Sequence, residues 1–162
     1  MKVVVADTSP INYLVLIDCI DVLQRLYARI IIPQEVFNEL NAAGTPPRVV
    51  DWIQSRPDWI EVRLAPIGDS VRTDDHELEL DPGEAAAIRL AMVEQNTLLL
   101  IDEAAGRAVA TRLGVANTGT LGVLLAAAKE DLIDLRVALS RLQDTNFRIS
   151  RNLVDRLLAD SQ

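Results

Sequence analysis

Short apolar runs alternate with segments of helical periodicity along most of this chain, and this alternation restricts the fold more than any other feature of the sequence. The runs predicted as strands are KVVVA (2–6), RIII (29–32), WIEVRL (59–64), TLLLI (97–101) and VAN (115–117). Strands that are separated by helices pair in parallel, and the helices cover both faces of the sheet. We therefore predict an α/β fold with three layers, α/β/α, and a mainly parallel central sheet with 59–64 as an edge strand.

The helical segments lie between these runs and after the last of them. They are 9–27, 33–43 (before Gly44), 46–55, 81–95, 103–114 and 118–130, followed by two closing helices. Residues 65–80 are acidic and weakly periodic, so we predict a loop there that can act as a mobile flap. The single histidine of the chain, His76, lies in this loop, and we interpret it as a solvated residue rather than a metal ligand.

A single aliphatic domain of residues 1–162 accounts for the composition, which is 49% hydrophobic but only 4% aromatic. The N-terminal segment is interrupted by Asp7 and Asp18, and the longest uncharged apolar stretch, 115–128, is shorter than the ~20 residues of a membrane helix. We therefore expect a soluble, cytoplasmic protein without membrane association. Cys19 is the only cysteine, which excludes an internal disulfide and a cysteine-based zinc site.

The net charge is −8, from 24 acidic and 16 basic residues. A protein that binds nucleic acid without regard to sequence normally uses a basic surface, so this balance argues against that class but allows a local binding site. Five arginines lie near the end of the sequence: Arg136, Arg141, Arg148, Arg151 and Arg156. They have two interpretations, which are solvated helix faces paired with neighbouring aspartates, or a site for planar anions.

Polar residues follow three of the predicted strands. Asp7 follows the first strand, Asp102 follows the fourth, and Asn117 and Thr118 lie at the end of the fifth. The carboxyl ends of parallel strands lie along one edge of the sheet, where the ligands of such sheets bind. A buried run that ends on a carboxylate is costly unless its charge is compensated. Asp7, in the segment VVVADTSP, therefore needs a partner.

Two glutamates reach the same edge by helical geometry. Glu84 shares a helix row with apolar residues and has no cation beside it, and Glu39 borders the apolar stripe of its helix, from which it can turn into a cleft. Each acid also has a purely structural interpretation. Asp102 can cap the next helix, and Glu84 can form a capping box with Asp81. Glu39 can be solvated at the surface, and Asp7 can bond the backbone of a turn.

Convergence of these acids predicts a metal site formed by Asp7, Glu39, Glu84 and Asp102. Carboxylates at short range repel one another and raise one another's pKa values unless a cation neutralises them. Oxygen ligands alone suit Mg²⁺ or Mn²⁺, whereas an ordinary zinc site uses histidine or cysteine. Divalent ions held by carboxylates polarise phosphate and activate water. The same residues are therefore the candidate catalytic residues for phosphoryl chemistry.

Several segments occur in a fixed order along the chain: VVVADTSP with Asp7, PQEVFNEL with Glu39, LDPGEAAAIRLA with Glu84, LLLIDEAAGRAVA with Asp102, and then NTGTLGVLLAAAKE. This ordered set resembles the PIN-domain proteins and is similar to the VapC-type toxins of bacterial and archaeal toxin–antitoxin pairs. The combination of GEAAAI, IDEAAGR and NTGTLG resembles a divergent PIN subfamily. It has glutamate as the third acid, where the commoner VapC pattern has aspartate.

The resemblance implies a PIN-like fold and an endoribonuclease that hydrolyses RNA with Mg²⁺ or Mn²⁺. It also implies a homodimer that a cognate antitoxin protein neutralises. The candidate substrate contacts are Thr8, Ser9, Arg107, Thr118 and Thr120. Some of these have simpler interpretations, since Ser9, Thr118 and Thr120 can cap helices and Arg107 can pair with Glu103 one helical turn away.

Other classes that act on phosphate lack residues that they need. The chain contains no G-x-x-x-x-G-K-[ST] loop, which excludes a P-loop nucleotide hydrolase. A phosphatase of the haloacid-dehalogenase type needs a second aspartate two residues after Asp7, where Ser9 stands. The alternative that remains is a PIN-like module with weak or no catalytic activity that acts through protein or nucleic-acid binding.

Overall fold

The computed structural model describes residues 2–66 and 80–161, in which a parallel sheet lies between two layers of helices. The strands are β1 (Val3–Ala6), β2 (Arg29–Pro33), β3 (Ile60–Arg63), β4 (Thr97–Leu100) and β5 (Asn117–Thr118). The helices are α1 (Thr8–Leu16), α2 (Val22–Leu26), α3 (Gln34–Leu40), α4 (Pro47–Gln54), α5 (Pro82–Val93), α6 (Ala104–Arg112), α7 (Thr120–Lys129), α8 (Leu135–Gln143) and α9 (Arg151–Asp160). The strand order is β3-β2-β1-β4-β5 with every pair parallel, which confirms the predicted fold class and places β3 at an edge.

Alternate residues of β1 face opposite layers of helices. Val4 and Ala6 lie in a core with residues of α1, α2, α4 and α7, whereas Val5 lies in a second core with residues of α5 and α6. All of them are fully buried, as expected for the central strand of a parallel sheet that is covered on both faces. Within the described ranges, no helix has the length and apolar character that crossing a bilayer requires.

The winding of the chain reverses between β1 and β4, which are neighbours in the sheet. The strands β2 and β3 lie on one side of β1, and β4 and β5 lie on the other. Such a switch point leaves a crevice at the carboxyl ends of the strands, where ligands bind. Asp7 follows β1 directly, and its N–H donates to the carbonyl of Leu100 at the end of β4 over 2.9 Å. The fold therefore places the end of β1 and the end of β4 side by side.

The predicted boundaries differ from the structure at two elements. The helix predicted over 9–27 is two helices, because the chain turns at Asp18, whose φ of 61° lies in the left-handed region that ends helices. The last strand lies at Asn117–Thr118 rather than at 115–117. The predicted flap at 65–80 falls almost entirely outside the described residues, and so does His76.

The C-terminal arginines are exposed, and pairing with neighbouring aspartates, one of their two interpretations, is not found in the part of the chain that the structure describes. The ion pairs there lie elsewhere and join Arg29 to Glu61, Arg48 to Asp18, and Arg63 to both Glu61 and Glu94. Arg141 instead donates to the carbonyl of Ile17 over 3.3 Å. Among the described residues, the C-terminal arginines therefore form no ion pair with a carboxylate.

Candidate metal centre

Asp7 lies directly after the central strand, and the fold buries its side chain. The residue is 3% exposed, and its carboxylate does not cap α1, although it occupies the capping position. Its Oδ1 atom is buried and accepts no hydrogen bond from any described residue. Because a buried polar atom without a partner is costly and a buried charge more so, the ionised carboxylate of Asp7 needs a positive partner.

Glu39 reaches the same edge of the sheet from α3. Its Oε2 accepts a hydrogen bond from the hydroxyl of Thr8, and its Oε1 accepts one from the N–H of Gly83 over 3.1 Å. A Cβ on Gly83 would lie 2.5 Å from Oε1, so the absence of a side chain there lets α5 begin beside Glu39. Burial raises the pKa of Glu39, the charge of Asp81 raises it further, and the bond from Thr8 opposes both effects.

Asp81 forms a cluster with Asp7 and Glu39. One carboxylate oxygen of each residue lies within 4.8 Å of the others. Asp81 also caps α5, because its Oδ1 accepts a hydrogen bond from the N–H of Glu84 over 2.8 Å. The cluster passes from the buried Asp7 through the half-buried Glu39 to the exposed Asp81. It is therefore open to solvent at one end and closed at the other.

Glu84 lies in the first turn of α5, next to this cluster, and is 7% exposed. Its carboxyl group is hydrogen-bonded to that of Asp81, and its Oε2 lies 3.3 Å from the position that a Cβ on Gly106 would take. Burial, the hydrogen bond to Asp81 and the charges of Asp81 and Asp7 raise the pKa of Glu84 to about 8. Burial and the neighbouring carboxylates therefore favour the protonated form of Glu84.

Asp102 is held by α1 and α7 rather than by the helix that follows it. Its Oδ2 accepts hydrogen bonds from the hydroxyls of Ser9 and Thr120, both over 2.8 Å, and its Oδ1 accepts one from the N–H of Thr120 over 2.7 Å. A Cβ on Gly119 would lie 2.6 Å from that Oδ1. Asp102 does not cap α6, because Glu103 occupies the capping position. Asp102 lies outside the three-residue cluster, although its charge acts on Asp7.

The electrostatics of this edge fit a divalent cation. Desolvation raises the pKa of Asp7 from its ordinary value of 3.8 to about 7, the charges of Asp81, Glu39 and Asp102 contribute in the same direction, and the N–H of Thr8 opposes them. A cation among these oxygens would favour the ionised carboxylates and give the buried Oδ1 of Asp7 a partner. The donor set consists of carboxylate oxygens, which hard divalent cations prefer.

Three of the predicted substrate contacts are hydrogen-bonded to the acids. Thr8 donates to Glu39, and Ser9 and Thr120 both donate to Asp102. Neither Ser9 nor Thr120 makes a side-chain cap at the start of its helix. Groups that bond to metal-binding carboxylates fix their orientation, and losing them commonly weakens metal binding.

The other two predicted contacts lie further from the cluster. Thr118 packs against α7, where a Cβ on Gly122 would overlap the Thr118 hydroxyl. Arg107 is exposed on α6, and its Nη1 lies 3.7 Å from the position of a Cβ on Gly119, next to Asp102. Among the described residues Arg107 makes no ion pair, so the predicted pairing with Glu103 is not found.

Asp81 is the member of the cluster that the sequence did not predict as a ligand. The pattern Asp81-Pro82-Gly83-Glu84 indicated a helix cap, and that prediction is confirmed. The cap also turns its carboxylate toward Asp7, which depends on how α5 packs against α3 and β1. A sequence signal for such a ligand is an acidic helix cap, where the helix begins at the edge of a parallel sheet formed by the carboxyl ends of the strands.

A family model described as a PIN domain matches residues 3–162. The matched range includes all of the acids at this edge and the segments around them. No curated protein matches the chain significantly. The family match and the geometry of the acids are therefore the two findings from which a function can be inferred.

Proposed function

We propose that this chain, which belongs to the PIN-domain family, is an endoribonuclease that hydrolyses RNA phosphodiester bonds with Mg²⁺ or Mn²⁺ and acts as one domain of residues 1–162. PIN domains are generally metal-dependent nucleases. The observation that carries the proposal is the buried Oδ1 of Asp7, which has no hydrogen-bond donor among the described residues. It belongs to a residue whose carboxylate lies in a cluster with Glu39 and Asp81. A structural role leaves this charge uncompensated, whereas a cation compensates it.

We assign the metal to Asp7, Glu39 and Asp81, with Glu84 and Asp102 as further ligands. Mg²⁺ and Mn²⁺ take oxygen ligands, and Mg²⁺ usually keeps several waters, which a site with an exposed member such as Asp81 allows. When bound, a divalent cation polarises the phosphate and lowers the pKa of a water molecule for attack. The same acids are the proposed catalytic residues, because they hold the reacting phosphate at this edge through the cation.

The hydroxyl groups of the site have a positioning role in this proposal. Thr8 orients Glu39, and Ser9 and Thr120 orient Asp102, through the hydrogen bonds described above. Ser9 also lines a cavity beside Asp102, and Thr8 lines one beside Glu39, so both lie within reach of a bound strand.

Arg107 and Thr118 are proposed contacts to the RNA backbone. Arg107 is exposed next to Gly119, and it presents a guanidinium without a described ion-pair partner close to Asp102. Guanidinium groups bind phosphate in a bidentate manner. Thr118 lies two residues before the start of α7 and reaches the same edge through β5.

We also propose that the nuclease is the toxin of a toxin–antitoxin pair, that it forms a homodimer, and that a cognate antitoxin protein neutralises it. The support is the resemblance of the ordered acidic segments to VapC-type toxins. A gene for a small DNA-binding protein immediately upstream would support this role, and co-purification of that protein with the chain would test it.

The test of the nuclease activity is cleavage of single-stranded and structured RNA by the purified protein. We expect cleavage with Mn²⁺ or Mg²⁺ and none with EDTA. Asp7→Asn and Asp102→Asn should fold and should lower the cleavage rate by at least about a hundredfold, because the loss of groups that merely orient ligands already costs about 10–100-fold. Asp155→Asn, an exposed position on α9, is the control and should cleave like the wild type.

Equal cleavage by Asp7→Asn and the wild type would contradict the proposed mechanism. If the wild type cleaves no RNA with any divalent metal after bound partner protein has been removed, the activity is absent. In that case the chain is a PIN-like binding module, and the RNA affinity of the wild type and the two variants should be equal.

A further inference from the structure

A cavity of about 270 Å³ lies beside Asp102. Residues of α1 and of the segment between α8 and α9 line it, namely Ser9, Tyr13, Asn146, Phe147 and Arg148, and the acids Asp102 and Glu103 complete the lining. Drug-sized ligands occupy cavities of about 300–1,000 Å³, so this one suits a single small planar group. It adjoins the proposed metal centre, because Ser9 and Asp102 belong to both.

Two aromatic rings line this cavity. The rings of Tyr13 and Phe147 meet edge to face, with centroids 4.9 Å apart and planes at 84°. Both residues are half-buried, so the pair is anchored in the fold while part of it remains accessible. Aromatic side chains in clefts of this kind bind nucleobases by stacking, largely independently of sequence.

The polar groups beside the rings match the other parts of a nucleotide. The hydroxyl of Tyr13 donates to Oδ1 of Asn146 over 2.6 Å, and the amide N–H groups of Asn146 have no partner among the described residues. They are free to donate to acceptor atoms on the edge of a base. Arg148 is exposed and pairs with no described carboxylate, so its guanidinium is free to bind phosphate.

A second cavity, of about 480 Å³, borders Thr8 and Glu39 and shares Tyr13 and Asn146 with the first. One cavity thus adjoins Glu39 and the other adjoins Asp102, on either side of the first turns of α1. Two consecutive nucleotides of one strand would occupy the two cavities if the phosphate between them were bound at the acids. A larger cavity, of about 610 Å³, lies between α7, α8 and α9 and is lined by none of these acids or rings.

We propose that the cavity beside Asp102 is a nucleotide subsite that binds the base next to the cleaved bond of a single strand. The base stacks against Phe147, with the ring of Tyr13 nearly perpendicular to it, the amide of Asn146 donates to its edge, and Arg148 binds the adjoining phosphate. This inference rests on the proposed nuclease function, and it assigns base selection to residues that do not bind the metal. An arginine and an amide without described partners favour a nucleotide over an apolar peptide.

The test measures binding and cleavage separately with the full chain. Fluorescence anisotropy gives the affinity for short single-stranded RNA and DNA oligonucleotides of each base in Ca²⁺, a hard cation that takes the same oxygen ligands. Sequencing of product ends gives the base preference of cleavage in Mn²⁺. The variants are Phe147→Leu and Arg148→Ala. Arg156→Ala is the matched control, because Arg156 is exposed on α9 and lines none of these cavities.

We expect Phe147→Leu and Arg148→Ala to weaken binding by about tenfold, which is within the range for loss of a stacking contact. Phe147→Leu should also reduce the base preference next to the cleaved bond, and both variants should bind Mn²⁺ like the wild type. Arg156→Ala should match the wild type throughout. If Phe147→Leu unfolds at lower temperature and cannot be assayed, Arg148→Ala decides the test.

The two proposals can fail independently. Wild-type affinity and wild-type base preference in the assayed variants would overturn the subsite, even if the protein cleaves RNA. Weakened binding by the variants of a wild type that cleaves nothing would support the subsite and contradict the nuclease. Binding of no oligonucleotide by the wild type would overturn the subsite. Equal weakening for RNA and DNA would support a subsite that reads base and phosphate without the 2′-hydroxyl.

Discussion

The carboxylate of Asp7 is buried among other acids at the end of the central strand, and this placement is unfavourable unless a cation is bound. Its pKa is raised to about 7, chiefly by desolvation and further by Asp81, Glu39 and Asp102. The N–H of Thr8 is hydrogen-bonded to the carboxyl group of Asp7, but the hydroxyl of Thr8 donates to Glu39, and Oδ1 of Asp7 has no donor among the described residues. The residue therefore has the properties of a ligand whose partner is a metal ion.

The substitution Gly83→Ala tests whether the position of the Glu39 carboxylate matters for metal binding. In Gly83→Ala the new Cβ would lie 2.5 Å from Oε1 of Glu39, so the flexible carboxylate must move away. We expect the affinity for Mn²⁺ to fall by about tenfold or more. The free energy of unfolding should stay constant or rise by up to about 1 kcal/mol, because alanine favours helix over glycine. Calorimetric Mn²⁺ titration and urea denaturation measure the two effects.

A double-mutant cycle provides the control for this prediction. If Gly83→Ala acts by displacing Glu39, it should have no further effect on Mn²⁺ affinity in a Glu39→Ala background. An equal loss of affinity in both backgrounds would show that the substitution acts in another way.

At the scale of elements, the start of α5 combines helix capping with metal binding in Asp81. Asp81→Ser keeps a capping oxygen but removes the charge, whereas Asp81→Ala removes both. We expect both variants to lose Mn²⁺ affinity by at least about tenfold. Asp81→Ser should be more stable than Asp81→Ala by about 1 kcal/mol, the usual value of a cap. Titration calorimetry and urea denaturation separate these contributions.

Asp134 supplies the matched control, since it caps α8 by accepting hydrogen bonds from the N–H groups of Arg136 and Val137, remote from the cluster. Asp134→Ala should lower the free energy of unfolding by about 1 kcal/mol and leave Mn²⁺ affinity unchanged. Wild-type Mn²⁺ affinity in Asp81→Ala would remove Asp81 from the metal site.

The elements also show which parts of the site could be predicted from sequence. Alternation of strands and helices predicts that Asp7 and Asp102 meet at one edge, because parallel strands end together. The stripe of α3 predicts that Glu39 borders that edge. The sequence pattern does not predict that Ser9 and Thr120 donate hydrogen bonds to Asp102, because those bonds join residues that are 93 and 18 positions apart. The capping pattern predicts where α5 begins, but the contact of Asp81 with Asp7 depends on how α5 packs against α3 and β1, which no periodicity determines.

At the scale of the whole molecule, the raised pKa values make stability depend on pH when metal is absent. Asp7 has a folded pKa of about 7 against an ordinary value of 3.8, and Glu84 has one of about 8 against 4.5. The folded state therefore binds more protons than the unfolded state between about pH 4 and pH 8, and stability falls as the pH rises through this window. The opposite shift of Glu61 is confined to an exposed ion pair and contributes little.

We expect the free energy of unfolding in EDTA to be lower at pH 7.5 than at pH 5.5, by roughly 1 kcal/mol or more. Asp7→Asn should reduce this difference, because the asparagine carries no charge in either state. Excess Mn²⁺ at pH 7.5 should stabilise the wild type, since a ligand of the folded state shifts the equilibrium toward it. Denaturation curves that show no loss of stability over this interval, or the same loss in Asp7→Asn, would contradict the assignment.

The net charge of −8 is compatible with RNA as substrate only if binding is local. The described structure provides such a region at Asp102, since Arg148 lines the same cavity as Asp102 and Arg107 lies near Gly119, which is in contact with Asp102. A cation at the acids would add positive charge to this region. The sequence predicted the negative net charge and the exposure of the arginines. Whether these arginines form ion pairs depends on the spacing of the helices in the fold.

The most direct test of the central claim is a calorimetric titration of the metal-free protein with Mn²⁺. The wild type should bind Mn²⁺, Asp7→Asn should bind it at least about tenfold more weakly, and the exposed control Asp155→Asn should match the wild type. Thermal unfolding of each protein in EDTA shows that the variants are folded. Equal Mn²⁺ affinity in the wild type and Asp7→Asn would contradict the claim that the buried carboxylate at the end of β1 is a metal ligand.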